Sequence, residues 1–275
     1  MEVVASGNLG IHPVDALEAH FSAQSPRSVL RQLAERAAGD LPGALDLLGL
    51  SRALSAEPVR ALAREVVRDS AYYSLLDSGL SVVTGETGRG GHVEVECGEV
   101  LDVPNDPEAF DTGGVVETLN ERFRDRLRRA GASIQGAMLC AAAFKEMIDN
   151  SHEHAAAATL PVAGYVVTLD RWAFVVSDVG RGVPDTMRFN PNYAGLSDQD
   201  AFQFALQPGI SSKGTDRGFG FATVFKALVD RSCRLRFRTA TVAAHWEGEN
   251  PVDSQLDLTS MPARKGFHIE VSASF

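Results

Sequence analysis

The sequence predicts an α/β fold in which helices cover one face of a mixed, largely antiparallel sheet, preceded by a mainly helical N-terminal region. Three observations carry that prediction. Apolar residues recur at helical spacing between residues 114 and 157. Two apolar runs, Val162 to Leu169 and Trp172 to Val176, are joined by Asp170-Arg171 in the manner of a tight antiparallel connection. Four further runs, Arg234 to Arg238, Thr241 to Trp246, Gln255 to Thr259 and His268 to Ser272, then supply the remaining strands. A length of 275 residues with 44% apolar content is enough for a buried core, as one large domain or one domain with a substantial extension. We place the boundary near residue 110, with a helical region and hairpin over 1–110 and the α/β domain over 111–275.

Charge and cysteine content narrow the function classes. Twenty-six basic against thirty-six acidic residues leave a net charge of −10, which repels phosphate backbones and anionic bilayers unless a basic patch is segregated. Nucleic acid and membranes are therefore not the expected partners. No run reaches the roughly 18 apolar residues of a membrane span, and MEVVASGNLG lacks the basic-then-apolar pattern of a secretory signal, so the expected location is the cytoplasm. Cys97, Cys140 and Cys233 are odd in number and have no metal-ligand spacing, and they read as buried small residues.

Along the first region, Ser25-Pro26 and Glu57-Pro58 mark helix starts. Leu62, Val66, Val67, Leu75 and Leu76 give the last of these helices one apolar face, which serves either as scaffold or as a partner-binding surface. The stretch SVVTGETGRGGHVEVECGEV predicts a hairpin whose tip is the glycine-rich loop Gly85 to Gly91. That loop lacks the lysine and hydroxyl residue that close a phosphate loop. PNDPEAFD is a connecting loop.

A helix over Gly114 to Ala130 follows from the stripe Val116, Leu119, Phe123 and Leu127, with Gly131 as its stop and the interrupted basic cluster Arg122, Arg124, Arg126, Arg128 and Arg129 on a solvated face. The next helix, Ser133 to Ala157, buries Ile134, Ala137, Met138, Ala141, Phe144 and Ile148. Glu146, Asn150 and His154, spaced by four, form a second row of their own, at about 100° per residue, well away from that stripe. The row is either an exposed polar face or one side of a site. His152 and His154 point apart on a continuous helix and cannot share a metal ion.

Two more segments have the chemistry of a binding site. The strand ending at Val176 runs into Ser177-Asp178-Val179-Gly180-Arg181-Gly182, a carboxylate at a buried strand end followed by two glycines that let backbone approach a flat ligand. Downstream, ISSKGTDRGFGF places several glycines before the apolar helix Ala222 to Val229. Free N–H groups there could cradle phosphates, with Lys213 and Arg217 available to neutralise them.

In order and spacing these three segments resemble the motifs of the Bergerat-fold ATP-binding family, the histidine-kinase-like or GHKL ATPases that include gyrase, MutL, heat-shock chaperones and sensor histidine kinases. The resemblance covers about Gly114 to Phe275: FKEMIDNSHEHA is similar to the asparagine box, SDVGRGVP to the first glycine box, and ISSKGTDRGFGFATV to the lid and second glycine box. It implies a Bergerat-type α/β sandwich that binds ATP and Mg²⁺ and uses slow hydrolysis as a lid-closure switch. It implies that Asn150 is the Mg²⁺ ligand and that Asp178 accepts from the adenine amino group. Gly180 and Gly182 would give the base room, and Gly218, Gly220, Lys213 and Arg217 would surround the phosphates. Glu146 matches the general base, with His154 as its competitor. The lid would span Asn190 to Arg217, with one helical stretch at Asp198 to Leu206.

Two positions depart from the family pattern: Phe221 replaces the usual leucine after the second glycine box, and Phe267 stands after Gly266 where a threonine is usual, which puts the water-mediated adenine contact in doubt. Asn150-Ser-His-Glu-His154-Ala155 is similar to the pattern of the anti-sigma serine/threonine kinases, so phosphate transfer to a protein stays open beside hydrolysis, as does a non-catalytic nucleotide-sensing module. A protein partner or a second copy, bound through the N-terminal region, is the expected macromolecular contact.

Overall fold

A computed structural model of the chain describes residues 13–23, 25, 27–37, 62, 65, 92–95, 98–102, 114–154, 161–208, 220–229, 231–249 and 256–275. In order, these contain helices α1 (Pro13–Ser22) and α2 (Arg27–Ala37), strands β1 (His92–Val95) and β2 (Gly98–Asp102), helices α3 (Val115–Arg129) and α4 (Ile134–His154), and strands β3 (Val162–Val167) and β4 (Arg171–Ser177). Helices α5 (Val183–Arg188), α6 (Asp198–Leu206) and α7 (Gly220–Leu228) follow, and long strands β5 (Cys233–Gly248) and β6 (Asp257–Ser274) end the chain. The sheet order is β1-β2-β3-β4-β6-β5, and every pairing among these strands is antiparallel.

The end of α3 and the start of α4 are set by local contacts. At the end of α3, Gly131 takes a φ of 108° and Ala132 N–H returns to the Leu127 carbonyl at 3.0 Å, satisfying carbonyls that the helix leaves open. Ser133 then caps α4, its hydroxyl accepting from Gly136 N–H at 3.0 Å. The α3 stripe Val116, Leu119, Phe123 and Leu127 is buried as expected, and Phe123, Phe144, Tyr165, Trp172 and Phe174 form an aromatic cluster between helices and sheet. On α4 the expected stripe fails at its first turns. Ile134 is 62% and Met138 58% exposed, because they face the outside of the α3–α4 corner beside Arg124, Arg128 and Arg129.

The four expected closing strands are two. Beta-branched and apolar residues continue through Thr239-Ala240-Thr241, and the sequence breaks there are absorbed by register shifts around Ala240, which takes a φ of 45°. The hairpin also lies further along than expected. Its strands pair Val95 with Gly98, both beyond Gly91; Gly85 to Gly91, the loop 104–111 and Cys97 lie outside the described residues. β2 pairs along β3, so the sheet draws strands from both sides of residue 110. Glu99 on β2 is fully buried, accepting from the Tyr165 hydroxyl and, at 3.1 Å, from Arg122 of α3.

Helices cover one face in the expectation, but both faces in the structure. Leu235, Phe237, Ile269 and Val271 point to the helical core of α3, α4 and α7, while the alternate residues Arg236, Arg238, His268 and Glu270 point the other way and are also fully buried. α1 lies over them. Its Val14 and Leu17 are fully buried; Asp15 accepts from Arg236 at 2.5 and 2.9 Å, and Glu18 from Arg238 at 3.2 Å, with Arg264 at 3.5 Å. Of the expected N-terminal stripe, Leu62 is buried, and nearby Glu65 accepts from Arg27 and Arg31; Val66, Val67, Leu75 and Leu76 lie outside the described residues.

Candidate functional site

Asp178 follows the last residue of β4 and stays in the ladder: its N–H donates to the Phe267 carbonyl at 2.9 Å. Its Oδ1 accepts from Gly180 N–H at 2.8 Å and from Phe267 N–H at 3.3 Å, and only 3% of the residue is exposed. Burial pushes the carboxyl up to about 6, against the pull of the Gly180 and Phe267 N–H groups, the Ser151 hydroxyl and the Arg264 charge. The Asp178 carboxyl therefore sits where β4, β6 and the C-terminal half of α4 meet.

The glycines beside it are required by contact as well as by torsion. Gly182 has a φ of 82°, and a Cβ there would lie 2.7 Å from Thr239 Oγ1 and 2.8 Å from the Gly266 carbonyl oxygen. Gly266, also at 82°, would drive a Cβ into the Asp178 carbonyl. The room left by the missing side chain at Gly182 is thus filled by Thr239 and Gly266, whereas the resemblance would give it to a base. Thr239 Oγ1 accepts from Val183 N–H at 3.0 Å and donates to the Gly266 carbonyl at 2.9 Å, which holds the start of α5 where no side-chain cap is present.

Glu146, Asn150 and His154 occupy one row of the continuous helix α4, all three half-buried. Ser151, next to Asn150 on the helix, is buried beside Asp178. Partial burial raises the Glu146 carboxyl above its ordinary range, and the charges of Asp149 and Glu153 add to this against Lys145. Lys145 itself binds Asp149 at 2.9 Å and approaches Glu117 at 3.7 Å. Among the described residues no group of three or more His, Cys, Asp or Glu side chains could hold a metal ion.

The start of α7 reaches the same place. Phe221, its second residue, packs on Phe267 at 5.9 Å and Phe237 at 5.3 Å between ring centroids, and Phe267 is the residue bonded to Asp178. At the other end, a side chain on Gly136 would meet the Arg231 guanidinium, just past α7. The two helices therefore run antiparallel, with Gly220 toward the Asn150 end of α4. The two departures from the family pattern are here an aromatic pair that docks this helix end onto β6.

Asp178, Gly180 and Gly182 lie together at the end of β4, while the Glu146–Asn150–His154 row and Gly220 belong to α4 and α7, which pack on each other. Lys213, Arg217 and Gly218 lie outside the described residues. The first part of the expected lid is anchored, not free: Ala201 and Phe202 of α6 are fully buried, and Arg188 binds Asp198 at 2.5 Å. Burial would raise the Asp198 carboxyl, but hydrogen bonds from Thr241 and Arg188 outweigh it and hold it below its ordinary range. Sequence reasoning missed Ser151, Thr239 and Arg264. For Ser151 a signal was present, since a residue next to Asn150 on the apolar side of a helix must face the core.

No helix among the described residues is long and apolar enough to cross a membrane. No protein-family model, curated protein or solved structure matches this chain.

Proposed function

We propose that this chain is a Bergerat-type ATP-binding protein that hydrolyses Mg-ATP slowly. The observation that supports it most is Asp178: a buried carboxylate whose backbone donors both fall on Oδ1, beside the N-terminus of α7 and Ser151 of α4. Its Oδ2 would accept from the exocyclic amino group of adenine, and the N–H groups at the start of α7 would face the phosphates. The residues fit Mg²⁺ in the way that ion is commonly held, with one protein oxygen, here the Asn150 amide, and phosphate and water oxygens for the rest. Bound there, the ion would neutralise charge on the phosphates. Glu146, with its raised carboxyl, would take a proton from the attacking water as the bond between the γ-phosphorus and the ADP oxygen breaks.

Titration calorimetry with a non-hydrolysable Mg-ATP analogue tests the binding, and wild-type chain that takes up no nucleotide sinks the proposal. Incubation with γ-labelled ATP then separates hydrolysis, seen as free phosphate, from the kinase reading that the Asn150-to-Ala155 pattern favours, seen as label on a protein. Binding with neither outcome leaves a nucleotide-sensing module.

A further inference from the structure

Thr239 is fully buried on β5, directly across the ladder from Phe267, where β5 begins its register shift. Its one hydroxyl joins two turns that flank Asp178. It accepts from Val183 N–H, next to Gly182, and donates to the carbonyl of Gly266, next to Phe267. Because the proton is committed to Gly266, the oxygen lone pairs are left for Val183, and the rotor is fixed by both turns at once. The spacing is tight on every side, as Gly182 accepts no Cβ against Thr239 and Gly266 accepts none against Asp178.

We propose that Thr239 is a positioning residue that sets the separation of the Gly182 and Gly266 turns, and with it the placement of the Asp178 carboxylate toward a purine base, so that it helps decide which base is accepted. This rests on reading the site as a nucleotide site. Asp178 is tied on one side to Gly180 and on the other to Phe267. Moving either glycine turn therefore moves the acceptor. Adenine offers an amino donor where guanine offers a carbonyl, and an acceptor fixed within hydrogen-bonding tolerance rejects the second because buried oxygens would face each other unpaired. Valine has the shape of threonine but can neither accept from Val183 nor donate to Gly266; serine can do both.

The test uses the full chain with Thr239→Ser, Thr239→Val and Thr239→Ala, titrated with non-hydrolysable Mg-ATP and Mg-GTP analogues, with melting temperature recorded for each. Serine is expected to stay within about threefold of wild type, while valine loses about tenfold or more in ATP-analogue affinity and a comparable share of the ATP-over-GTP preference. Should the valine variant not fold, alanine carries the same comparison with serine. A hydroxyl-free variant that keeps both the affinity and the base preference of wild type overturns the inference, even if its melting temperature falls, since a structural role alone predicts that fall. Wild-type chain that binds neither analogue fails the nucleotide reading instead.

Discussion

At the Asp178 carboxyl, burial of the ionised form carries a cost. The group titrates near 6 in the folded state against an ordinary 3.8, so the folded state binds the proton more tightly than the unfolded one. Stability contributed here is therefore present at low pH and lost as pH rises from about 4 to about 6, amounting to about 3 kcal/mol at 1.36 kcal/mol per unit. Asp178→Asn should flatten that part of the stability profile and leave the chain at pH 8 as stable as wild type or more so, while ATP-analogue affinity falls steeply; denaturation and calorimetry on the same samples check both. On the nucleotide reading, an ionised acceptor should also make wild-type ATP-analogue affinity rise through pH 6 and level off above it. For Glu146, the expected result of Glu146→Ala is nucleotide binding within a few-fold and turnover reduced by about 10² or more. A mutant with wild-type turnover moves the role to His154. Asp178 and the α4 row were legible because strand ends and helix rows have fixed periods. Thr239 was not, because its partners Val183 and Gly266 are 56 and 27 residues away along the chain, and periodicity carries no information at that range.

Helix α1 shows the same limit for whole elements. Arg234, Arg236 and Arg238 alternate with apolar residues, a pattern that reads as a half-solvated strand. Arg236 and Arg238 are instead fully buried, because Asp15 and Glu18 arrive from the far end of the chain to neutralise them. Helices α3 and α6 were legible in full, since neighbours in sequence cover them or cap them. The first turns of α4 were misread because the corner with α3 leaves them uncovered. For α1, Glu18→Ala removes the carboxylate shared by two buried cations, Arg238 and Arg264, and it should cost about 3 to 5 kcal/mol in chemical denaturation. A loss below about 1 kcal/mol, the range of surface ion pairs, would show that α1 does not hold this face in solution.

Across the whole molecule, the sheet is one continuous surface from β1 to β5, and it draws on the chain at both ends. A fragment of residues 111–275 would lose β2 from the edge of β3, the Glu99 partner of Tyr165, and the α1 cover of Arg236 and Arg238. Circular dichroism and hydrogen exchange should find that fragment unable to hold a protected sheet, although it contains every residue assigned to the site. A fragment as protected as the full chain would support a boundary near 110. The contact between Asp15 and Arg236 spans 221 positions. During synthesis at about 5 to 20 residues per second, α1 leaves the ribosome roughly 10 to 40 seconds before the strand it must cover exists. Until then Val14 and Leu17 have no sheet to bury them, and the helix is open to whatever nascent-chain binder reaches it first. Among the described elements, the first to be made is thus one whose docking waits for the last strands.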